Sequence, residues 1–194
     1  MPCSALTLFL QEDRDIEVDR LTKCTEYLST PPWKFHHSEW VSSGDQRFPR
    51  NCHDYFMSHE DLPLCCAQQI VHGEEVLRVV KFVTVRNWSD NVQFYSRILG
   101  QHPDVNKADF VIFTLEHHAH FVVQFSLKKL PEEVVPRSTR QMVLSFKVHD
   151  IGALVPLLHA ECHQMNSTHW VTVDFDGNEV FIEQSAQGRK SCMG

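Results

Sequence analysis

The chain has 194 residues, of which 42% are hydrophobic, 22% charged and thirteen are phenylalanine. This is the composition of a folded α+β protein with a buried core and excludes an intrinsically disordered chain. The net charge is -7, and basic residues occur in pairs such as Lys128-Lys129 rather than in a stripe, so we expect no direct nucleic-acid partner.

The sequence has no feature that points to a membrane. It contains no apolar run near the ~20 residues that cross a bilayer, and its N-terminus has no signal-peptide pattern. We therefore expect an intracellular protein, in the nucleus or the cytoplasm, without a membrane partner.

Cysteine spacing predicts reduced thiols. The odd set lacks the C-x-x-C spacing of a zinc site, which favours reduced, mostly buried thiols over a disulfide framework. Its members are Cys3, Cys24, Cys52, Cys65, Cys66, Cys162 and Cys192. Adjacent side chains in a strand point to opposite faces, so Cys65 and Cys66 are not expected to share one metal ion.

The first 74 residues predict strands around one helix. Residues 5–11 are apolar and predict a strand. Val18, Leu21, Cys24 and Leu28 have helical spacing, which ends at Pro31-Pro32. Residues 33–41 and 62–71 predict two more strands, separated by polar residues that include a loop at 42–51.

The next part of the chain, from residue 75, begins with a strand at 76–85. Ser89 or Asp90 is expected to cap a helix with a stripe of apolar residues, which ends at Gly100. The stripe consists of Val92, Tyr95, Ile98 and Leu99. Two strands follow, at 108–116 and 120–130.

A similar unit then starts again. Residues 142–150 predict a strand, and Asp150 is expected to cap a helix at 151–159, which Pro156 must shorten or kink. Residues 168–184 predict a hairpin that turns at Asp176-Gly177. Two strand-helix-strand-strand units in succession predict a structural repeat.

Alternation along these strands separates an apolar face from a chemically mixed one. The apolar face carries Val83, Val85, Val123, Phe125, Leu127, Leu144, Phe146, Val148, Val180 and Ile182. If the mixed face lines a pocket, its binding candidates are Thr84, Gln124, Ser126, Ser145, Lys147, Glu179 and Glu183. If it is solvated, Lys147 and the two glutamates are cross-strand ion pairs, worth ~1 kcal/mol or less each.

Three stretches resemble the vicinal oxygen chelate superfamily, which includes glyoxalase I, bleomycin-resistance proteins and extradiol dioxygenases. They are "VVKFVTVRNWSDNVQFYSRILG", "VLSFKVHDIGALVPLL" and "DFDGNEVFIE". The resemblance implies an α+β fold of paired βαβββ modules, a cup of mixed sheet with helices on its outer face and a divalent metal on its concave face. It divides the chain into a partial module at 1–74, a complete domain at 75–185 and a polar tail at 186–194.

The same resemblance places the four metal-ligand positions on Val80, Val143, Phe181 and Gln124. Valine and phenylalanine have no lone pair for a metal, whereas a zinc or iron site needs three or four nitrogen, oxygen or sulfur ligands. We therefore expect a lost metal site, no cofactor and no catalytic residue.

A second resemblance spans nearly the whole chain. The chain resembles the vertebrate protein family that is called "family with sequence similarity" and is numbered one hundred and twenty-four. The stretches that carry this resemblance are "PPWKFHH", "KADFVIF", "VQFSLKKLP", "DIGALVPLLH" and "DGN". This resemblance does not imply an enzymatic activity. It implies a longer polar tail and a further strand-helix unit upstream of Ala5–Gln11, so the N-terminal module is expected to be partial.

One alternative metal motif is present. Glu116, His118 and His120 have spacing that suits a divalent ion, but they fall in a predicted hairpin turn where no third ligand is fixed. A surface histidine turn is the competing interpretation.

These observations predict a non-catalytic, glyoxalase-like module that binds a protein partner or a small molecule. The competing hypothesis is an enzyme of the same fold, of the lyase, isomerase or dioxygenase class. It would be metal-dependent, or metal-independent with Lys147, Glu179 or Glu183 as acid or base. A structural scaffold is a third possibility, and pairing of modules between two copies would give a homodimer.

Overall fold

A computed structural model describes residues 1–11, 20–40, 52–139 and 141–185. The chain forms two compact units. The first comprises Met1–Val85 and Pro103–Met142, and the second comprises Arg86–His102 and the chain from Val143 onward. None of the helices in the described ranges is long and apolar enough to span a bilayer.

Eight strands of the first unit form one mixed sheet, here called the large sheet, in the order β2-β3-β4-β1-β5-β8-β7-β6. The elements up to residue 70 are β1 (Ser4–Gln11), α1 (Arg20–Leu28), β2 (Lys34–Trp40), β3 (Cys52–Met57) and β4 (Leu64–Ile70). The remaining strands are β5 (Glu75–Val83), β6 (Val105–Asn106), β7 (Phe110–His117) and β8 (Phe121–Lys129).

The large sheet is built from two similar segments, residues 4–70 and 75–129. In each segment the first and last strands pair in parallel, β1 with β4 and β5 with β8. The two segments join through their first strands, because β1 pairs with β5 in antiparallel fashion from Ser4↔Lys81 to Phe9↔Val76. Paired modules are the fold that the resemblance implied, but it placed the complete pair at residues 75–185, whereas the segments that share this sheet are 4–70 and 75–129.

The large sheet is strongly curved. Five strand intervals separate β2 from β8, about 24 Å along a flat sheet. That distance is beyond the reach of two side chains, yet Glu39 of β2 accepts a hydrogen bond from Lys128 of β8. The two strands must therefore face each other across a concavity, and the side of the sheet that carries Glu39 and Lys128 is called the inner face.

Apolar side chains fill one end of the inner face. The cluster consists of Ala5, Tyr55, Leu64, Cys66, Val80, Phe82 and Leu130, with Met1, Met57 and Val134 packed against it. The segment after β8 contributes Leu130 and Val134, so it covers this end of the concavity. Burial of so much apolar surface is the main driving force for curling the sheet.

The second unit contains a small sheet of four strands in the order β10-β11-β12-β9. Its elements are α2 (Trp88–Leu99), β9 (Leu144–Val148), α3 (Ile151–Leu154), β10 (His163–Gln164), β11 (His169–Val173) and β12 (Glu179–Gln184). The pairing of β9 with β12 is parallel, as in the other two segments. Helix α2 packs on this sheet, where Tyr95 contacts Phe146 with ring centroids 5.9 Å apart.

Several predicted helix signals are confirmed. Gly100 ends α2 with a left-handed φ of 65°. The Asp150 carboxylate accepts a hydrogen bond from the Ala153 N–H at 3.0 Å and caps α3, which stops after one turn in a 3₁₀ segment containing Pro156. The predicted cap of α2 is wrong, because Asn87 occupies that position.

Other differences concern burial and short strands. Asn91 and Phe94 are buried on α2 beside Tyr95 and Ile98, whereas Val92 and Leu99 are only half-buried. Strand β3 was not predicted, because "CHDYFM" lacks a clear alternation of apolar and polar residues. The two-residue strands β6 and β10 were too short to give a sequence signal.

The predicted domain boundaries differ in position from the borders of the two compact units. The boundary at residues 74 and 75 lies between β4 and β5, within the first unit. The segment expected to be partial contains the same strand-helix-strand-strand-strand order as the second segment. The predicted tail at 186–194 lies outside the described residues, and the boundaries themselves stay a prediction.

Candidate functional site

A polar band crosses the inner face of the large sheet. Directly paired residues on neighbouring strands share a face, and the register runs from β7 to β1 and on to β4. The Phe56↔Cys65 pair lies on the other face and therefore places the adjacent residues Tyr55 and Cys66 opposite each other on the inner face, and the Tyr55↔His37 pair extends the row to β2. The polar band therefore consists of Thr114, Gln124, Arg78, Thr7, Cys66, Tyr55 and His37.

Arg78 is the central charged group of the polar band. Its guanidinium donates two hydrogen bonds to the Gln124 side-chain oxygen, from Nη2 at 2.8 Å and from Nε at 3.1 Å. The same guanidinium lies 4.6 Å from the Phe9 ring centroid and 5.6 Å from that of Phe110. These rings favour a cation on their faces and hold the guanidinium over the inner face.

A charged pair, Lys128 with Glu39, lies beside the polar band. Lys128 donates to Glu39, and the His37 Nε2 atom lies 3.4 Å from the Glu39 carboxylate. Burial opposes ionisation of Glu39, but the His37 hydrogen bond and the Lys128 charge outweigh it and lower the pKa of Glu39 to about 2. Glu39 is therefore a carboxylate at neutral pH.

His53 and Tyr55 report the electrostatic character of this region. Burial, followed by the positive charges of Lys128 and Arg78, lowers the pKa of His53 to about 4. Burial, followed by the negative charge of Glu39, raises the pKa of Tyr55 well above its usual value. Both side chains are neutral at pH 7, and His53, Arg78, Lys128 and Glu39 together carry one net positive charge.

The predicted binding candidates fall on two different sheets. Gln124 and Ser126 lie on the inner face of the large sheet, and Thr84 follows the end of β5. Ser145 and Lys147 on β9, and Glu179 and Glu183 on β12, belong to the small sheet. Lys147 pairs in register with Glu183, as expected for cross-strand neighbours. The structure therefore divides the seven residues between two sheets.

The four positions matched to metal ligands are also divided. Val80 and Gln124 lie on the inner face of the large sheet, where Val80 is 3% exposed. Phe181 lies on β12, and Val143 precedes β9 with 48% exposure. Within the described ranges, no group of three or more His, Cys, Asp or Glu residues could hold a metal ion.

The histidine turn between β7 and β8 resembles an ordinary surface loop. Glu116 and His120 are exposed, and the His118 Nε2 atom lies 3.4 Å from the Glu116 carboxylate. The His118 ring stacks on Phe121 with ring centroids 4.5 Å apart. Simple contacts within the hairpin therefore account for His118.

The cysteine prediction is confirmed for free thiols but is wrong for burial, because only Cys3 and Cys66 among the described cysteines are buried. Cys3, Cys24, Cys52, Cys65, Cys66 and Cys162 are free, and Cys192 lies outside the described ranges. Burial raises the pKa of the Cys66 thiol to about 12 and that of Cys65 to about 11. Cys65 and Cys66 lie on opposite faces of β4, as the strand pattern predicted.

The "DFDGN" motif has a structural role in the second unit. Asp174 is 2% exposed and accepts hydrogen bonds from the backbone N–H groups of Asp176 and Asn178, at 3.0 and 2.8 Å. The Tyr95 hydroxyl also donates to Asp174 at 3.0 Å. Asn91 donates to Asp176 at 3.1 Å, so the motif fastens the turn of the last hairpin to α2.

Sequence reasoning missed the charged residues of the inner face. Arg78 interrupts the apolar strand "EVLRVVKFV" on the same side as Val80, and Lys128 continues the alternation of Gln124 and Ser126. A charge at an inward position of a strand is a signal for such a site. Glu39 and His53 had no comparable signal, because their positions depend on the curvature of the sheet.

Comparisons with known proteins give a family. The model of the FAM124 domain matches residues 1–183. Human protein FAM124A is 34% identical over 189 residues, which cover 97% of this chain and 34% of that protein. Human protein FAM124B is 33% identical over 188 residues, which cover 94% of this chain and 40% of that protein. The chain thus spans well under half the length of these relatives.

Two solved structures are similar over about half of the chain. A glyoxalase/bleomycin resistance protein from Catenulispora acidiphila has a TM-score of 0.38 and 16% identity, and covers 55% of this chain and 96% of its own. A bleomycin-binding protein complexed with bleomycin has a TM-score of 0.36 and 15% identity, and covers 54% of this chain and 95% of its own. Strand order, register and the contact of Glu39 with Lys128 define the curved α+β fold without these two structures.

Proposed function

The chain belongs to the FAM124 family, and we propose that it is a non-catalytic binding module whose inner face takes a small anionic molecule through Arg78, without a metal. One observation carries this proposal: the two hydrogen bonds from Arg78 to the Gln124 oxygen. Gln124 is the one polar residue among the positions matched to metal ligands, and its oxygen already accepts from a cation.

Electrostatics supports an anion rather than a metal ion. A divalent cation bound to the Gln124 oxygen would lie beside the permanent positive charge of Arg78, and like charges at such separations repel strongly in a partly buried site. After burial, the charges of Lys128 and Arg78 are the next causes that lower the pKa of His53 and disfavour its protonated form. A carboxylate on this face would complement the charge of Arg78, since Lys128 is paired with Glu39.

The surroundings of Arg78 favour a carboxylate attached to an apolar group. Phe9 and Phe110 flank the guanidinium, and the half-buried Phe110 offers aromatic surface next to it. Binding sites for small molecules combine such apolar walls with a few convergent polar groups. Benzoate, which has both features, is therefore the probe we would use.

The test is isothermal titration of benzoate and of Zn²⁺ into the purified chain. We expect saturable binding of benzoate that Arg78→Met reduces at least tenfold, whereas Arg97→Met leaves it unchanged. Arg97 is a matched control because it loses the same charge in the second unit, where it donates to the Leu157 carbonyl. Stoichiometric Zn²⁺ binding that Gln124→Ala abolishes would overturn the proposal.

A second candidate is protein binding through the outer side of β2. Phe35 is 60% exposed and Trp40 is 82% exposed on this strand, which is at one end of the sheet order. Exposed aromatic groups on an edge strand favour pairing with a second copy of the chain. Sedimentation velocity should show self-association that Trp40→Ser weakens and Tyr27→Ser, a control at 63% exposure, does not.

The enzymatic alternative places its acid or base on the small sheet. Lys147 and Glu179 are exposed there, and Glu183 is half-buried opposite Lys147. Opposite charges at register-paired positions are common on a solvated sheet face, so this arrangement does not require a catalytic role. The binding role therefore remains the proposal that the geometry favours.

A further inference from the structure

A buried thiol and a buried amine meet where β1 and β5 join. The Lys81 Nζ atom donates to the Cys3 Sγ atom at 3.4 Å. Cys3 is 2% exposed and Lys81 is 4% exposed. The pair lies within the first unit and is distinct from the polar band on the inner face.

The backbone holds Cys3 firmly in this position. Its N–H donates to the Arg137 carbonyl at 2.8 Å, and its carbonyl accepts from the Phe82 N–H at 2.9 Å. The Thr139 hydroxyl oxygen lies 3.5 Å from the sulfur. The chain is thus fixed on both sides of the thiol, and the sulfur stays within reach of the amine.

We propose that Cys3 and Lys81 form a reversible sulfur–nitrogen cross-link when the protein meets a peroxide. In the first step the Cys3 sulfur attacks hydrogen peroxide, the O–O bond breaks, and sulfenic acid and one water form. In the second step the Lys81 nitrogen, in its amine form, attacks that sulfur, and the hydroxyl leaves with a proton from nitrogen as a second water. Overall, thiol, amine and peroxide give a sulfenamide and two waters, and a thiol reductant restores both side chains.

Burial favours this outcome over the usual fates of a sulfenic acid. Exposed sulfenic acids are captured by free thiols or oxidised further. At Cys3 the surrounding protein excludes large thiols. The nearest nucleophile is the Lys81 amine, whose nitrogen lies 3.4 Å from the sulfur. Sulfenic acids condense in the same way with backbone nitrogen atoms in other proteins.

Cys66 provides a matched comparison within the same unit. It is 1% exposed, and its sulfur is 3.4 Å from the Gln68 Nε2 atom. An amide nitrogen shares its lone pair with the carbonyl and is a poor nucleophile, so no cross-link should form there. Equal burial with a different neighbour isolates the effect of the lysine.

The experiment is peptide mapping by mass spectrometry after treating the native protein with hydrogen peroxide. We expect one cross-linked product that joins the peptides of Cys3 and Lys81 and is lighter than their sum by two hydrogens. Trypsin should no longer cut after Lys81, and dithiothreitol should restore that cut. Cys66→Ser should leave the product unchanged, whereas Cys3→Ser and Lys81→Met should remove it.

A measurement on the wild-type chain covers the case in which Lys81→Met does not fold. The same treatment in concentrated urea should give no cross-link, because unfolding separates residues 78 apart in sequence. Recovery of Cys3 as sulfinic acid or as free thiol, with normal cleavage after Lys81, would overturn the proposal. Equal cross-linking in urea would also overturn it.

Discussion

The ion pair between Glu39 and Lys128 gives a direct test of the curvature of the large sheet. Their side chains are 15% and 27% exposed, between a surface pair worth about 1 kcal/mol at most and a buried pair whose disruption costs 3–5 kcal/mol. Lys128→Met should leave the Glu39 carboxylate mostly buried without its main cation. We expect it to lower the free energy of unfolding by about 2 kcal/mol.

A double-mutant cycle separates this contact from other effects of the substitutions. With Glu39→Gln as the second substitution, urea unfolding followed by circular dichroism should give a coupling energy of about 1–2 kcal/mol. Lys107→Met, at an exposed position in the same unit, is the control and should change stability by less than about 0.5 kcal/mol. A coupling energy near zero would mean that β2 and β8 do not face each other, and the inner face would lose its basis.

Three further measurements follow from the same contacts. His53 has a pKa of about 4 in the folded chain and about 6.5 as its ordinary value, so the unfolded state binds more protons between these pH values. The free energy of unfolding should therefore fall by about 2.5 kcal/mol from pH 6.5 to pH 4. His53→Gln should flatten that part of a pH series of unfolding free energies, and an unchanged slope would contradict the assignment. Tyr95→Phe removes the hydroxyl that donates to buried Asp174, so chemical denaturation should show a loss of about 1–2 kcal/mol. Gly100→Ala should cost about 1 kcal/mol in thermal unfolding through backbone strain alone, because φ is +65° and no atom lies within 4 Å of an added Cβ.

Local patterns were sufficient for much of the fold. Alternation placed Gln124 and Ser126 on one face and Phe125 and Leu127 on the other, and the register of β8 against β5 agrees. The caps of α3 and the end of α2 were also readable, since a capping carboxylate and a left-handed glycine act within a few residues. Such features depend on nearest neighbours along the chain.

Local sequence patterns do not predict which strands of different segments pair with each other. All three segments begin and end with strands that pair in parallel, so local sequence does not say which first strands meet. That choice depends on apolar contacts between residues far apart, such as Ala5 opposite Val80. The contact of Glu39 with Lys128 depends further on the curvature, to which many side chains contribute.

The pairing of β1 with β5 restricts where the chain can be divided into fragments that fold. A fragment that starts at residue 75 would keep β5 but strip it of β1, the strand that pairs with it from Ser4↔Lys81 to Phe9↔Val76. The N–H and C=O groups along that edge of β5 would then be unpaired. Such groups form hydrogen bonds with other extended chains and promote aggregation. The first 74 residues are therefore a folding requirement of the strands that follow, and expression or proteolysis experiments should keep both segments on one fragment.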